Sequence, residues 1–230
     1  MKKLKAALKT NKFVRVVYSS YTDYKDKAGQ RIQSGWDRIM WSFSRPAKPK
    51  TDGIYIHLGC GSINHPKMIN VDLRPDKHIH YLHGVETLPM FDDNAADLIY
   101  VSHCLEHISY LELDKVLAEW RRVLRKGGIL RIAVPNFTTI LEIYREAGYN
   151  LEEILPPLMG GQDYNYNFHY SVFDHQYLKK MLEKAGFDNV REWNKGEDEF
   201  TGFDDWANKN VHRNNKEYKI SLNLQAVKAG

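Results

Sequence analysis

The sequence is poor in cysteine and has no long apolar run, and each absence excludes a class of protein. Its 230 residues include only two cysteines, Cys60 and Cys104, too few for the disulfide framework of a small secreted domain. No stretch approaches the roughly 20 apolar residues of a membrane-spanning helix, and the first residues lack an apolar block followed by a signal-peptide cleavage site. We therefore expect a globular protein of the cytoplasm.

Acidic residues are also scarce at the beginning of the sequence, where none precedes Asp23. Residues 1–52 contain 13 Lys and Arg against four Asp, a net charge of +9, whereas residues 53–230 contain 20 Lys and Arg against 25 Asp and Glu, a net charge of −5. A turn-rich stretch, 46-PAKPKTDG-53, separates the two compositions. We predict a basic N-terminal extension over residues 1–52 and one folded domain over residues 53–230.

The first 21 residues combine six Lys and Arg with an incomplete apolar stripe at helical spacing. A basic amphipathic stretch of this kind can lie on an anionic membrane surface. The stripe is short and is broken by Thr10 and Asn11, so the alternative is a solvated basic arm that packs on the domain. Peripheral membrane contact is one of these two interpretations.

Strand-like runs alternate with helical patterns in the predicted domain. The predicted strands span residues 54–58, 68–71, 79–82, 97–101 and 129–134, and several lack polar alternation, as is typical of parallel strands buried on both faces. One helix is predicted to begin at a capping box of Ser109 and Glu112 and to end at 126-KGG-128. A second runs from an N-cap at Asp174 to Ala185, before Gly186. This alternation predicts a Rossmann-like, doubly wound α/β sheet.

Small residues and a carboxylate stand at the tips of the first two predicted strands. Gly59 and Gly61 follow the first strand, and Asp72 ends the second. Glycine allows a positive φ and close approach of the backbone to a ligand, and a carboxylate at the neighbouring tip can accept both hydroxyls of a ribose. Asn64 stands where the dinucleotide pattern G-x-G-x-x-G requires its third glycine. The pattern therefore indicates a nucleoside site rather than a dinucleotide site, with a glycine turn and a surface aspartate that have no function as the alternative.

Four motifs resemble, in their order, those of class I S-adenosylmethionine-dependent methyltransferases: 58-LGCG-61, 69-INVD-72, 97-DLIYVSHCLEHI-108 and 119-EWRRVLRKGGILRIAVPNF-137. The last two, with residues 161–190 and 221–228, are similar to type 11-like members found with bacterial polysaccharide genes. The resemblance covers residues 53–228 and implies a seven-stranded sheet whose last strand, near residues 220–227, is antiparallel. It also implies S-adenosylmethionine as the cofactor.

The resemblance assigns roles to residues at the strand tips. It implies cofactor contacts from Leu58, Gly59, Cys60, Gly61, Asp72, Leu73, Ser102 and His103. Gly59 and Gly61 would pass under the methionine part and Asp72 would hold the ribose, while Ser102, His103 and Glu106 would line the methyl-transfer face.

The sequence departs from the family pattern at two points. Only ten residues separate Gly61 from Asp72, so the first crossover has room for a turn or two rather than a full helix. The acid expected before Leu88-Pro89, which would bind the adenine amine, is missing except for Glu86. The adenine amine would then be bound by His83 or by a backbone carbonyl instead.

Methyl transfer to a hydroxyl requires a group that removes a proton, and histidine suits that task near neutral pH. The candidates are His103, His107 and His169, of which His103 and His169 are predicted to be catalytic, with a structural role as the alternative for each. His103 and His107 lack the H-E-x-x-H order of a zinc site, so no metal is expected.

The segment over residues 156–173 is rich in Gly, Tyr and Asn and is predicted to be a lid over the site. Its aromatic residues, with Gln162, Asp163 and Asn165, could stack on and hydrogen-bond a sugar; a surface loop packed on the sheet is the alternative.

We therefore predict O-methylation of a sugar or glycan intermediate. One alternative is a catalytically inactive cofactor-binding or interaction protein of glycan assembly. The other is a nucleic-acid methyltransferase, which the basic amino terminus suggests. It ranks last because Ser102-His103 stands where an Asn-Pro-Pro-Tyr motif would be needed. A nucleic-acid partner is therefore not expected.

Overall fold

The computed structural model describes residues 35–162, 166–213 and 215–230, and contacts divide the chain into two units between Ser44 and Arg45. The described part of the first unit is helix α1 (Gly35–Ser44), near whose end the Ser44 hydroxyl donates to the carbonyl of Met40 (3.0 Å). The predicted membrane-binding segment over residues 1–21 lies outside the described residues. The predicted boundary after residue 52 stays a prediction.

The second unit is an α/β domain. Its strands are β1 (Tyr55–Leu58), β2 (Met68–Asp72), β3 (Tyr81–Leu82), β4 (Ala96–Ser102), β5 (Leu124–Pro135), β6 (Phe187–Glu192), β7 (Asn210–Arg213), β8 (Lys216–Lys219) and β9 (Ser221–Lys228). Its α-helices are α2 (Leu113–Val123), α3 (Phe137–Glu146), α4 (Leu155–Met159) and α5 (His175–Lys184). Short 3-10 helices span Leu105–His107, Leu151–Glu153 and Trp206–Asn208. Among the described residues, no helix is long and apolar enough to cross a bilayer.

The main sheet has seven strands in the order β3-β2-β1-β4-β5-β9-β6. Strands β1 to β5 pair in parallel, and β9 runs antiparallel between β5 and β6. The predicted architecture, a seven-stranded α/β sheet with an antiparallel last strand, is confirmed. Strand order reverses between β1 and β4, and sheets of this kind bind ligands at the carboxyl edge beside such a reversal.

The two faces of the sheet are covered differently. Alternate strand residues such as Ile56, Leu58 and Val101 pack in one core with the apolar faces of α2 and α5. On the other face, Tyr100 packs with Trp193 and Phe203, so irregular chain around residues 193–207 covers the sheet there. Because side chains of a strand alternate between its faces, every central strand contributes to both layers.

The predicted limits of helix α2 are wrong at both ends. It begins at Leu113, and the Glu112 side chain makes no capping hydrogen bond because its carboxylate binds Lys115 instead (2.9 Å). At the other end, β5 follows the helix directly, and Gly127 and Gly128 lie inside that strand. The β4–β5 register shifts between Leu124 and Ile129, so the two glycines form a bulge rather than a helix stop.

Other local predictions are confirmed. Asp174 caps α5 by accepting from the amide of Tyr177 (2.7 Å), and Gly186 follows that helix with φ +85°. Between β1 and β2 the chain makes only turns, as the short spacing requires.

The third predicted strand is reduced to Tyr81–Leu82, and β6 was not predicted because four of its six residues are polar or charged.

Candidate active site

A glycine turn, residues 59–61, follows β1 at the carboxyl edge of the sheet. Gly59 and Gly61 have φ values of +60° and +57°, which side chains other than glycine rarely adopt. The amide of Gly59 donates to the carbonyl of Val71 (2.9 Å). A Cβ at Gly59 would lie 2.7 Å from Cys104 Sγ, so this position requires glycine for its backbone angle and for space.

Asp72, at the end of β2, ties that strand to the glycine turn. Its carboxylate is buried; Oδ2 accepts from the amide of Gly61 (2.8 Å), and Oδ1 accepts from the amide of Arg74 (2.8 Å). The guanidinium of Arg74 adds an ion pair at 3.5 Å. A carboxylate offers about four lone-pair sites, so these two amides leave capacity for ribose hydroxyls.

The other predicted cofactor residues at the tips of β1 and β2 are Leu58, Cys60 and Leu73. Leu58 and Cys60 have fully or almost fully buried side chains, so a cofactor contact from either would come from the backbone. Leu73 follows Asp72 directly. His83, which follows β3, donates its amide to the carbonyl of Asp72 (3.0 Å). A side chain at Gly84 would collide with the Glu86 carboxylate, which places Glu86 beside His83 near the tip of β3.

His103 follows Ser102, the last residue of β4, and both of its ring nitrogens have partners. Nε2 lies 2.5 Å from Ser221 Oγ, and Nδ1 lies 3.3 Å from Glu106 Oε1. The hydroxyl of Ser221 donates to the carbonyl of Trp206 (2.7 Å), so its single proton is used and it accepts from Nε2–H of His103. General-base action by His103 would require one of these contacts to break.

Glu106 is a buried carboxylate on the 3-10 helix that follows β4. It is 1% exposed, and within the described ranges neither of its oxygens has a well-formed hydrogen bond. Burial raises the pKa of Glu106, but the contact with His103 and the charges of His103, His107 and His169 outweigh burial and hold the pKa below its usual value. A buried carboxylate costs stability unless donors or a cation complete its surroundings.

His107 and His169 lie together beside Glu106. Their ring centroids are 4.9 Å apart, and burial lowers the pKa of His169. The chain around His169 is fastened here because the amides of Tyr170 and Ser171 both donate to the carbonyl of Glu106 (2.8 and 3.1 Å). The structure thus brings both predicted catalytic histidines to Glu106, from opposite sides in the sequence.

The predicted lid consists of helix α4 and the chain that leads to β-bridge residue Phe173. Gln162 is exposed and its side-chain amide donates to the carbonyl of Met159 (3.3 Å), whereas Asp163 and Asn165 lie outside the described residues. A pocket of about 370 Å³ opens beside this chain. It is lined by Glu86, Thr87, His107, Ile108, Ser109, Glu112, Lys115, Val116 and Tyr170.

Three contributors to the site were missed from the sequence. Ser221 and Trp206 orient and flank His103, whose ring centroid is 6.2 Å from that of Trp206, and Cys104 packs against Gly59. Burial raises the pKa of the Cys60 and Cys104 thiols, so neither is a ready thiolate nucleophile. No local pattern marks these roles, because each depends on a contact between distant parts of the chain.

A glycine turn and a carboxylate lie at adjacent strand tips, beside the reversal of strand order, an arrangement that is typical of nucleoside-binding α/β proteins. Residues 58–132 match the family model described as "Methyltransferase domain". This segment contains β1 to β4, the glycine turn, Asp72 and the group around His103.

Curated relatives share part of the chain. It is 29% identical over 125 residues to the ubiquinone/menaquinone biosynthesis C-methyltransferase UbiE of Vibrio vulnificus, which covers 51% of this chain and 47% of that protein. It is 28% identical over 179 residues to UbiE of Vibrio cholerae, which covers 73% of this chain and 68% of that protein. The chain spans about half the length of the first of these relatives.

A solved structure of 1,6-didemethyltoxoflavin-N1-methyltransferase from Burkholderia thailandensis, with bound 1,6-didemethyltoxoflavin and S-adenosylhomocysteine, is 17% identical. The alignment covers 98% of this chain and 89% of that chain, with a TM-score of 0.49. The predicted class, an S-adenosylmethionine-dependent methyltransferase, agrees with the family match, which covers residues 58–132, about a third of the chain. The finer likeness to polysaccharide-associated members stays a prediction.

Proposed function

We propose that this protein transfers a methyl group from S-adenosylmethionine to a hydroxyl of a sugar or glycan intermediate. The observation that carries the proposal is the Asp72 carboxylate, held by the amide of Gly61 at 2.8 Å within the segment that matches a methyltransferase domain. The position of this carboxylate beside the glycine turn supports binding of a nucleoside through two ribose hydroxyls.

The bound cofactor would supply an electrophilic methyl group on a sulfonium. The chain's own residues bind and orient: the glycine turn gives room for close approach, and Asp72 accepts hydrogen bonds from hydroxyls. At the tip of β4, Ser221 and Glu106 fix the ring of His103 between them. A ring that is held on both nitrogens is suited to orienting an acceptor hydroxyl. Because Nε2 carries the proton that it donates to Ser221, only Nδ1 can take a proton from the acceptor, after it leaves Glu106.

Polar groups for a sugar or glycan acceptor are present in the lining of the pocket beside the predicted lid. They belong to Glu86, Glu112, Lys115 and His107, whereas most of the surface that the lining exposes to the pocket is apolar. Hydroxyl-rich ligands need such partners, because each buried hydroxyl must be hydrogen-bonded.

C-methylation of a quinone precursor is the second candidate, because the relatives that bear that name align with up to 73% of this chain. The third is a cofactor-binding protein without activity. Calorimetry with S-adenosylhomocysteine tests whether the protein binds the methyl donor, and micromolar binding is expected.

Methyl transfer from radiolabelled S-adenosylmethionine to nucleotide sugars, lipid-linked glycans and demethylated quinones then separates the candidates. Label in a sugar ether supports the proposal, and label in a quinone ring contradicts it. Cofactor binding without transfer to any acceptor would favour the inactive protein.

A further inference from the structure

Three potential metal ligands converge at the carboxyl edge of β4. One ligand atom from each of Glu106, His107 and His169 lies within 4.8 Å of the other two. Glu106 and His107 are neighbours on one 3-10 helix, and His169 comes from the chain after α4. The H-E-x-x-H spacing of a zinc site does not reveal this group, because that pattern is local and His169 is distant in sequence.

Glu106 is the reason to look for a ligand at this place. Its side chain is almost completely buried, and among the described residues no group donates a well-formed hydrogen bond to either carboxylate oxygen. His103 Nδ1 approaches one oxygen, Oε1, at 3.3 Å, so Oε2 remains without a partner. A buried carboxylate oxygen left in this way costs stability unless a cation or a donor completes its surroundings.

The two histidines each direct one ring nitrogen to the backbone. Nδ1 of His107 lies 3.0 Å from the carbonyl of Phe168 and donates to it, which leaves a lone pair on Nε2. The backbone carbonyl of Leu158 lies near the ring of His169. Histidines that bind metals are commonly oriented by such a bond to a carbonyl, because it fixes the tautomer and the direction of the free nitrogen.

Backbone hydrogen bonds fix the positions of the three side chains relative to one another. Besides the amides of Tyr170 and Ser171 on the Glu106 carbonyl, the Ser171 hydroxyl donates to the carbonyl of Ile108 (2.6 Å). The amide of His169 donates to the carbonyl of Met159 (3.0 Å). Bonds on both sides of His169 therefore fix its position relative to Glu106 and His107, as a metal site requires.

We propose that Glu106, His107 and His169 bind a divalent first-row transition-metal ion through two imidazoles and one carboxylate. Metal–nitrogen bonds of about 2.0–2.1 Å place tetrahedral ligand atoms roughly 3.4 Å apart. The three ligand atoms now lie within 4.8 Å of one another, so binding would bring them closer by at most about 1.4 Å. Imidazole ligands favour zinc or iron over magnesium and calcium, which prefer oxygen. His103, on the other carboxylate oxygen, orients Glu106.

Such an ion would lie beside the pocket, because His107 belongs to both. Three protein ligands leave coordination positions open, and a hydroxyl bound to a divalent ion loses its proton more readily. This consequence for the acceptor rests on the proposed function, whereas metal binding itself does not.

Zinc titration of the untagged full chain, stripped with a chelator, tests the proposal. Calorimetry and elemental analysis should show one zinc per chain in the unaltered protein, with no competition from equal magnesium. Glu106→Gln preserves shape but removes the charge, and His169→Ala removes a ligand; each should weaken zinc binding by about 100-fold or more. His175→Ala, an exposed histidine outside the group, is the matched control and should bind as the unaltered protein does.

Absence of zinc binding in the unaltered chain, or equal binding in the Glu106→Gln and His169→Ala variants, would overturn the proposal. Circular dichroism and thermal unfolding establish that each variant is folded, and Glu106→Gln decides the matter if His169→Ala is not. Cobalt substitution provides an independent readout, because two imidazoles and a carboxylate give visible absorption that Glu106→Gln should abolish. S-adenosylhomocysteine binding is measured in parallel, so failure of the metal site is distinguished from failure of the donor site.

Discussion

The two halves of the carboxyl edge satisfy their polar groups in opposite ways. At the donor half, residues 59–61 with Asp72, both carboxylate oxygens accept backbone amides. At the acceptor half, the group of His103, Glu106, His107 and His169, a buried carboxylate has no well-formed hydrogen bond among the described residues. The backbone therefore holds the Asp72 carboxylate in place, whereas the described residues supply no such donors to the Glu106 carboxylate.

The largest effect is expected for Gly59→Ala, which attacks the backbone of the donor half. A φ of +60° and a Cβ only 2.7 Å from Cys104 Sγ force the turn to move, at about 1–3 kcal/mol of unfolding free energy. Affinity for S-adenosylhomocysteine should fall by about 100-fold or more, as measured by calorimetry. Gly202→Ala, at an exposed glycine with open space around it, is the control; equal affinities in the two variants would contradict the role of the turn.

Asp72→Asn tests whether the donor half depends on charge. The amide nitrogen of asparagine cannot accept from Gly61 or Arg74, so one of these bonds is lost together with the charged acceptor for ribose. We expect about 30-fold weaker S-adenosylhomocysteine binding, since hydrogen bonds to charged groups contribute roughly 1.5–3 kcal/mol. The melting temperature without ligand should also fall. Asp92→Asn, at an exposed position, should leave both quantities unchanged, and an unaltered affinity in Asp72→Asn would refute the ribose contact.

Ser221→Ala probes the acceptor half without touching the donor half. It removes the group that accepts from His103 Nε2, so the ring loses one of its two anchors. Turnover should fall roughly 10-fold with the acceptor saturated, while S-adenosylhomocysteine affinity stays the same. A loss of cofactor affinity equal to the loss of turnover would mean that the two halves are not separable in this way.

The smallest effect on the site is expected from a change in the ion pair between buried Arg131, on β5, and Asp198 (2.6 Å). Burial raises the pKa of Asp198, but the hydrogen bonds from Arg131 and from a backbone amide outweigh burial and hold the pKa below its usual value. The stability from this pair is therefore present above the unfolded-state pKa of about 3.9 and is lost as pH falls through the lower folded-state value.

Asp198→Asn should cost about 1 kcal/mol or less at pH 7, since the carboxylate is partly exposed, and the difference from the unaltered protein should shrink under acid conditions. Thermal unfolding between neutral and acid pH measures it. Ligand affinity should not change; a change would show that the site depends on this remote pair.

Residues at strand tips could be predicted, because a strand and the turn at its end form one local pattern. Gly59, Gly61 and Asp72 were placed correctly at one edge on this basis. The limits of α2 were wrong because 126-KGG-128 serves equally as a helix stop and as a bulge, and only pairing with β4 selects the bulge.

The acceptor half was predicted less completely for the same physical reason. Each histidine was visible as a candidate, but the meeting of His169 with Glu106 depends on backbone bonds between chain segments that are distant in sequence. Ser221 reaches His103 because β9 inserts beside β5. Such contacts leave no periodic signal in either partner.

The position of β9 between β5 and β6 also determines when the main sheet can be completed during synthesis of the chain. Strand β6 joins the main sheet through β9, and Ser221, the first residue of β9, anchors the ring of His103. During synthesis on the ribosome, the strands of the donor half emerge well before β9. A nascent chain can therefore form the nucleoside edge early, but it gains an oriented His103 and a closed sheet only when β9 has been made and has paired on both sides.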